Sequence, residues 1–285
     1  GVATAIKAGG PGALFWMWMA AFFGMATKYS EGLLAIKFRE KDENGEIAGG
    51  PMYYIVNGLG RNWKWLAILF ALFGSLTALL GSGTFTQVNS ITDSIKNSVG
   101  WDPRYISVVL AILVAIIIFG GIQSISKAST LVVPFMALIY VLAGLTILAV
   151  NYDKLLPSIG LVFSSAFTGQ AATGGFMGAT VMVALQKGVA RGVFSNESGL
   201  GSAPIAAAAA KTEEPVEQGL ISMTGTFIDT IIICTLTGMA IIVTGGWSSK
   251  LDGAVLTQSA FASFFGNWGI WVLTISLVLF AFTTI

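Results

Sequence analysis

Histidine is absent from this sequence of 285 residues, and cysteine occurs once, at Cys234. Without histidine, the side chain that most often carries protons near neutral pH is missing, and His/Cys metal sites cannot be assembled. A lone cysteine in an apolar run cannot form a disulfide within the chain, and it is typical of an ordinary packed side chain. Since paired carboxylates at helical spacing are also missing, we do not expect an enzyme.

Charge is scarce as well. Charged residues make up 10% of the chain, against about 25% in ordinary soluble domains. The net charge is +1, which excludes the basic surface typical of nucleic-acid binding. Hydrophobic residues account for 55% of the sequence, and the mean hydropathy is +0.80. Polar residues are therefore too few to cover a soluble fold of this size, and lipid is the predicted solvent for most of the surface.

The apolar residues form long segments. Since a membrane helix needs about 20 mostly apolar residues, the sequence predicts a short helical tail at 1–8 followed by seven spans. These are A at 11–36, B at 65–91, C at 105–122, D at 128–150, E (broken) at 174–210, F at 219–245 and G at 254–285.

Charge distribution and the chain ends add three expectations. The segment 37–64 between spans A and B carries five lysines and arginines, and the positive-inside rule therefore predicts that it lies in the cytoplasm. The stretch "LLPSIGLVFSSAF" after span D predicts a surface helix. Because the sequence starts at Gly1 and ends inside an apolar run, we expect one transmembrane domain, 1–285, that is incomplete at both ends.

Asp229 and Gln87 are polar side chains inside predicted spans that need an explanation. Asp229 lies ten residues past Gly219, which at about 1.5 Å per residue places it near the middle of the membrane. An intramembrane carboxylate indicates an ion path, and the alternative is a hydrogen-bond hub with Thr226 or Thr230. Gln87 in span B has an amide that lipid cannot satisfy. It belongs either to a functional site or to the outer water interface.

A charged pair occurs in span A. Lys28 and Glu31 stand three residues apart, the spacing at which side chains meet on one face of a helix. We expect a structural pair between them.

Span E is interrupted by "RGVFSNESGLGSAP" at 191–204. Inside a membrane a broken backbone is tolerated only within protein or beside a water-filled cavity, where its free N–H and C=O groups can bind a ligand. The sequence therefore predicts that Phe194–Gly201 is non-helical, lies in the membrane-embedded body and lines a site. The alternatives are a cytoplasmic turn, with Lys187 and Arg191 at the surface, and a site at "TGGFMG", 173–178, instead.

Five motifs resemble the sodium:alanine symporter family, in the order of that family and along the whole chain. They are "GGPGALFWMWMAAFFGMATKYSE", "GGPMYYI", "GGFMGATVM", "RGVFSNESGLGSAPIAAAAAKT" and "FAFTTI". The resemblance implies an all-α membrane protein with the five-plus-five inverted-repeat fold of LeuT. The chain would run from the end of core helix 1 to core helix 8, with spans A–D as core helices 2–5 and spans E–G as core helices 6–8.

The same resemblance implies the function and the ligands. We expect a secondary active transporter of the cell membrane that carries a small neutral amino acid, alanine or glycine, together with Na⁺ by alternating access, without an organic cofactor. The expected substrate-binding residues are Phe85, Gln87, Phe194, Asn196, Gly199 and Gly201, with Phe194 and Phe85 closing a small apolar pocket. The expected cation-binding residues are Thr283, Thr284 and Asp229.

Three alternatives stay open. The two threonine hydroxyls can instead bond to the backbone of their own helix. A channel or pore-forming membrane subunit would show a continuous polar stripe and no saturable uptake. A symporter of the same fold could use another cation or solute.

Overall fold

The computed structural model describes residues 1–41, 45, 47–80, 84–168 and 181–284, with the side chains at 121–128, 131 and 284 outside that description. These residues are almost entirely helical. The first helices are α1 Val2–Gly9, α2 Gly12–Lys37, α3 Pro51–Leu59, α4 Lys64–Leu79, α5 Thr84–Val99, α6 Pro103–Phe119 and α7 Gly121–Val150. The later ones are α8 Tyr152–Thr168, α9 Val181–Asn196, α10 Ala203–Ala207, α11 Pro215–Thr226, α12 Thr235–Val243, α13 Gly253–Phe265 and α14 Asn267–Thr284.

Spans A, C and D coincide with α2, α6 and α7. Span B contains α4 and α5, and residues 81–83 between them lie outside the described residues. Span F is helical throughout, but α11 passes into α12 through a π-helical segment, Phe227–Cys234. The stretch after span D forms a helix, α8, as expected, and its place at the membrane surface stays a prediction.

Span G was predicted as one helix, and that prediction is wrong. The chain forms α13 and α14, separated by Gly266. Gly266 has a φ of 59°, a left-handed conformation that glycine adopts without a steric penalty. The polar segment 37–64 is also more ordered than expected. Besides α3 it holds a short antiparallel pair, β1 Glu40–Lys41 and β2 Ile47–Ala48, and a 3₁₀ turn at Arg61–Trp63.

Helix α2 is central to the packing. It contacts α1, α8, α9, α10 and α11, and the main core lies where α1, α2, α7, α12 and α13 meet. Glycines allow α2 to approach α11 closely, because a Cβ on Gly32 would lie 2.5 Å from the Ser222 hydroxyl oxygen. Small residues at helix crossings are typical of membrane bundles.

The outer surface of several helices is apolar. Leu79, Phe119 and Leu156 are 80%, 91% and 78% exposed, as expected for side chains that face lipid rather than water. In the described residues, three stretches are long and apolar enough to cross a membrane, against the seven spans predicted. They are Arg61–Val99, Val132–Val150 and Pro215–Val243, and the shorter apolar helices are Pro103–Phe119, Gly253–Phe265 and Asn267–Thr283.

Candidate functional site

The helix interruption in span E begins three residues later than predicted. Helix α9 continues through Asn196, so Phe194 to Asn196 are helical, and the non-helical segment is Glu197–Ser202. We call this segment the break. Glu197, Gly199 and Gly201 have φ values of 56°, 82° and 76°. A positive φ at a residue with a side chain, as at Glu197, is a strained conformation that the surrounding structure must hold in place.

Asn196 connects the break to the π-helical segment. Its Nδ2 donates to Thr230 Oγ1 at 3.1 Å, and its Oδ1 accepts from the backbone N–H of Ser198 at 3.0 Å. The side chain is 6% exposed, so these bonds replace water that would otherwise solvate the amide. Asn196 therefore fixes the first turn of the break against the π-helical segment.

Asp229 lies in the π-helical segment and faces the same turn. Its Oδ1 accepts from Ser195 Oγ at 3.0 Å, and its Oδ2 accepts from Thr230 Oγ1 at 2.8 Å. The structure thus contains the hydrogen-bond hub with Thr230 that the sequence left open. Thr226 is not part of it, because its buried Oγ1 has no hydrogen-bond partner within the described part of the chain. Single π-helical turns often occur at functional sites.

Glu31 is a buried carboxylate of α2. It is 7% exposed, and its Oε2 has no hydrogen-bond partner in the described part of the chain. The pair with Lys28 that its helical spacing predicted stays a prediction. The charge of Glu31 acts on a tyrosine of α3: burial, with a smaller contribution from Glu31, raises the pKa of Tyr54 to about 12.

Two charged side chains next to the break, Arg191 and Glu197, each have a partner. The Arg191 guanidinium lies 5.5 Å from the ring centre of Phe194, a distance that allows a cation–π interaction. Glu197 Oε2 accepts a hydrogen bond of 2.7 Å from Ser202 Oγ. The break is thus closed on itself by the bond between Glu197 and Ser202, and Asn196 ties it to the π-helical segment.

The remaining predicted site residues lie on other helices. Phe85 and Gln87 belong to α5, which packs on α6, α13 and α14, whereas α9 packs on α1, α2, α8 and the π-helical segment. Phe85 is 68% exposed and Gln87 is half-buried. The predicted site residues therefore fall into two groups, one around the break and one on α5 and α14.

Of the two threonines predicted to bind a cation, Thr283 is described in full. Its Oγ1 donates to the carbonyl oxygen of Phe280 at 2.9 Å, which is the backbone bonding that the sequence left open. A hydroxyl that donates one hydrogen bond keeps its lone pairs for a cation, so the two roles are compatible. The side chain of Thr284 lies outside the described residues.

A second polar cluster was missed by the sequence analysis. Gln258 of α13 is 1% exposed, and its Nε2 donates to Thr274 Oγ1 at 2.8 Å and to the carbonyl oxygen of Ser94 at 3.2 Å. Asn97 donates to its Oε1 at 2.9 Å. A glutamine inside "AVLTQSAFASFF" was the available signal, because a buried amide requires partners. The cluster joins α5, α13 and α14.

The described residues contain no group of three His, Cys, Asp or Glu side chains that could hold a metal ion. A cation bound here would be coordinated by hydroxyl and carbonyl oxygens with at most a few carboxylates, and hard monovalent and divalent cations prefer such oxygens.

A lipid-facing helical bundle in which one helix is interrupted beside the half-buried carboxylate of Asp229 defines a polytopic α-helical membrane protein of the transporter class. The sequence matches the family described as "Sodium:alanine symporter family" over residues 1–285. The chain belongs to that family, and the resemblance of its motifs is confirmed.

Individual relatives agree with this assignment. The chain is 56% identical over 287 residues to an "Uncharacterized transporter" of Haemophilus influenzae, covering 100% of this chain and 62% of the relative. It is 51% identical over 291 residues to "Sodium/alanine symporter AgcS" of Methanococcus maripaludis, covering 100% and 63%. It is 38% identical over 285 residues to "Amino-acid carrier protein AlsT" of Bacillus subtilis, covering 100% and 59%. The chain thus spans about three fifths of the length of the curated relatives it matches.

Proposed function

We propose that the complete protein is a symporter that couples the entry of alanine or glycine to the entry of Na⁺ by alternating access. The structural observation that carries the proposal is the break, which follows α9 and is bonded through Ser195 and Asn196 to Asp229 and Thr230. Interrupted helices supply free backbone groups for substrates and ions in secondary transporters. Family membership and the relative named as a sodium/alanine symporter support the choice of substrate and ion.

We also propose the LeuT-type arrangement for this chain, in a cell membrane. Helix α2 would be core helix 2, and α9 with α10 would be the interrupted core helix 6. The supporting observation is that the break follows α9 and separates it from the short α10. In this arrangement the segment 37–64 lies in the cytoplasm, as its excess of lysine and arginine predicts.

For the substrate we propose a site beside the break. Gly199 is exposed and Gly201 is buried, and the absence of side chains at both lets a small amino acid approach the backbone. Phe194 would supply an apolar wall, and Asn196 would hold the turn. Phe85 and Gln87 would join the site in a state in which α5 approaches α9.

For the cation we propose the hydroxyl oxygens of Thr283 and Thr284, with Asp229 contributing negative charge. The hydrogen bond from Thr283 to Phe280 supports this placement, because it orients the hydroxyl while leaving lone pairs free. The two bonds that Asp229 accepts, from Ser195 and Thr230, hold its carboxylate rigid, so its charge acts at a fixed position in a low-dielectric interior.

Uptake into proteoliposomes of the complete protein tests the proposal. We expect radiolabelled alanine to enter when Na⁺ is supplied outside and to enter far more slowly when K⁺ or choline replaces it. Equal uptake in all three salts would contradict Na⁺ coupling. A parallel experiment with an inward H⁺ gradient distinguishes proton coupling, and uptake that never saturates with alanine would indicate a channel.

A further inference from the structure

The π-helical segment, Phe227–Cys234, needs support from the helices around it. A π-helix is rare and is mostly limited to a single turn inside an α-helix, whereas this one runs for eight residues. Two hydrogen bonds from α9 reach its first half, from Ser195 to Asp229 and from Asn196 to Thr230. The far end of the segment is held from a different helix.

Trp18 of α2 supplies this further anchor. Its Nε1 donates to Oγ1 of Thr235 at 2.7 Å, and Thr235 is the residue that directly follows the segment. An indole nitrogen can only donate, so the threonine oxygen accepts this bond and keeps its own proton. That proton is available to the carbonyl oxygen of Thr230, which lies 3.5 Å away. Trp18 is thus linked through Thr235 to Thr230, the residue that Asn196 holds from α9.

The surroundings make the bond between Trp18 and Thr235 costly to lose. Both residues are half-buried, and Trp18 packs against the apolar core cluster that contains Cys234. In a membrane-embedded bundle no water replaces a lost partner, so an indole N–H without an acceptor is unfavourable. The bond therefore favours the conformation in which Thr235 stays against α2.

We propose that Trp18 is a positioning residue that keeps Phe227–Cys234 π-helical by holding Thr235. A π-helical turn contains about one residue more than an α-helical turn, so a return to α-helix would rotate one end of the segment relative to the other. Asp229 and Thr235 could then no longer meet Ser195 and Trp18 at the same time. The inference rests on the proposed function in one respect only: if Asp229 serves the cation, Trp18 acts on the cation through it.

Cys234 is a native reporter of this conformation. It is the only cysteine of the chain, it is 4% exposed, and it is the last residue of the segment. Its reaction with a small uncharged maleimide should therefore be slow while the segment is held. The rate is measured on the purified complete protein without substrate, by mass spectrometry of the peptide that contains Cys234.

Variants of the two partners test the bond directly. Trp18→Phe removes the indole N–H and keeps an aromatic ring, and Thr235→Val removes the hydroxyl and keeps the shape. Since one neutral hydrogen bond is lost, each should raise the rate by about fivefold. The double variant should react within about twofold of either single variant, because both changes remove the same bond. Thr235→Ser keeps the hydroxyl and should stay within about twofold of the unchanged protein.

Trp16→Phe is the matched control. Trp16 lies on the same helix, is half-buried, and donates from Nε1 to the carbonyl oxygen of Ala166 of α8 at 3.3 Å. The control variant loses the same chemical group from a bond that does not reach the π-helical segment. The rate at Cys234 should therefore stay within about twofold of the unchanged protein.

Three results would overturn the proposal. The first is an unchanged rate at Cys234 in Trp18→Phe or in Thr235→Val. The second is a double variant in which the two effects multiply to about 25-fold, which would show independent roles. The third is an equal rise in Trp16→Phe, which would show general loosening.

A second comparison covers the case in which Trp18→Phe gives no folded protein. Thr235→Val and Thr235→Ser then decide: a rate that rises in the valine variant alone supports the role of the hydroxyl, and equal rates in both contradict it. Because no transport is measured, a failure of this proposal is distinguished from a failure of the symport proposal.

Discussion

The hydroxyl of Ser195 donates a hydrogen bond of 3.0 Å to Oδ1 of Asp229, and this bond joins two interruptions of regular helix. Ser195 lies in the last turn of α9, just before the break, and Asp229 lies in the π-helical segment. Asn196 and Thr230 form a second link of 3.1 Å between the same two places. A movement of the break must therefore displace the π-helical segment or break both bonds.

Replacing Asp229 with asparagine tests the charge at this connection. Asn keeps the shape but presents an NH₂ group to a hydroxyl donor and removes the negative charge. We expect Asp229→Asn to raise the Na⁺ concentration for half-maximal uptake by about tenfold. The control is Asp93→Asn, because Asp93 is an exposed carboxylate that accepts a hydrogen bond from Asn89. This variant should leave the Na⁺ concentration for half-maximal uptake unchanged. A normal Na⁺ dependence in Asp229→Asn would assign Asp229 to the hydrogen-bond hub alone.

The two glycines of the break should respond differently to alanine. Both have positive φ, so each substitution costs about 1 kcal/mol in backbone strain. A Cβ on Gly201 would lie 2.7 Å from the Phe70 ring, whereas one on Gly199 would meet only Thr27, at 3.7 Å. Gly201→Ala should therefore lower the yield of folded protein, and Gly199→Ala should fold but transport poorly. Size-exclusion profiles together with uptake rates separate the two effects. Normal transport by folded Gly199→Ala would place the substrate elsewhere.

The threonines of α14 test the cation site. Thr284→Val and Thr283→Val each keep the shape and remove one oxygen ligand, so each should raise the half-saturating Na⁺ concentration by about fivefold or more. The matched control is Thr146→Val on α7, because Thr146 makes the same type of backbone bond, to the carbonyl oxygen of Leu142 at 2.8 Å. If the α14 variants behave like Thr146→Val, their hydroxyls serve only the backbone.

The guanidinium group of Arg39 should stabilise the fold in a way that a lysine cannot. Its guanidinium donates to the carbonyl oxygens of Ala208, Ala210 and Thr212 at 2.8, 2.7 and 2.9 Å, which ties the chain after α10 to the end of α2. An ammonium group cannot span three carbonyls in this fork geometry. Arg39→Lys should therefore destabilise the protein by about 1–3 kcal/mol, seen as a lower unfolding temperature. Arg61→Lys, at an exposed 3₁₀ turn, should have no effect. Equal unfolding temperatures for both variants would contradict this role.

Local patterns in the sequence predicted most of the helices. Apolar length located α2, α6 and α7, and the glycines with Asn196 and Glu197 located an interruption after α9. The start of the break was placed three residues early. Glycine density shows that a helix ends nearby, whereas the end itself depends on the capping bond that Asn196 makes to Ser198 and on its distant partner Thr230.

Other features depended on contacts far apart in the chain. Nothing local in "FIDTIIIC" indicates a π-helical segment, because the partner of Asp229 is Ser195, 34 residues away. In the same way, the spacing of Phe85 and Phe194 could not show that their helices pack in different groups.

Accumulation of alanine against its own gradient tests symport most directly. Proteoliposomes of the complete protein are loaded with radiolabelled alanine at the external concentration, and an inward Na⁺ gradient is then imposed. Coupled transport predicts that internal alanine rises transiently above the external level and that a Na⁺ ionophore abolishes the rise. Alanine that never exceeds the external concentration, while still crossing the membrane, would contradict coupling and indicate a passive pore.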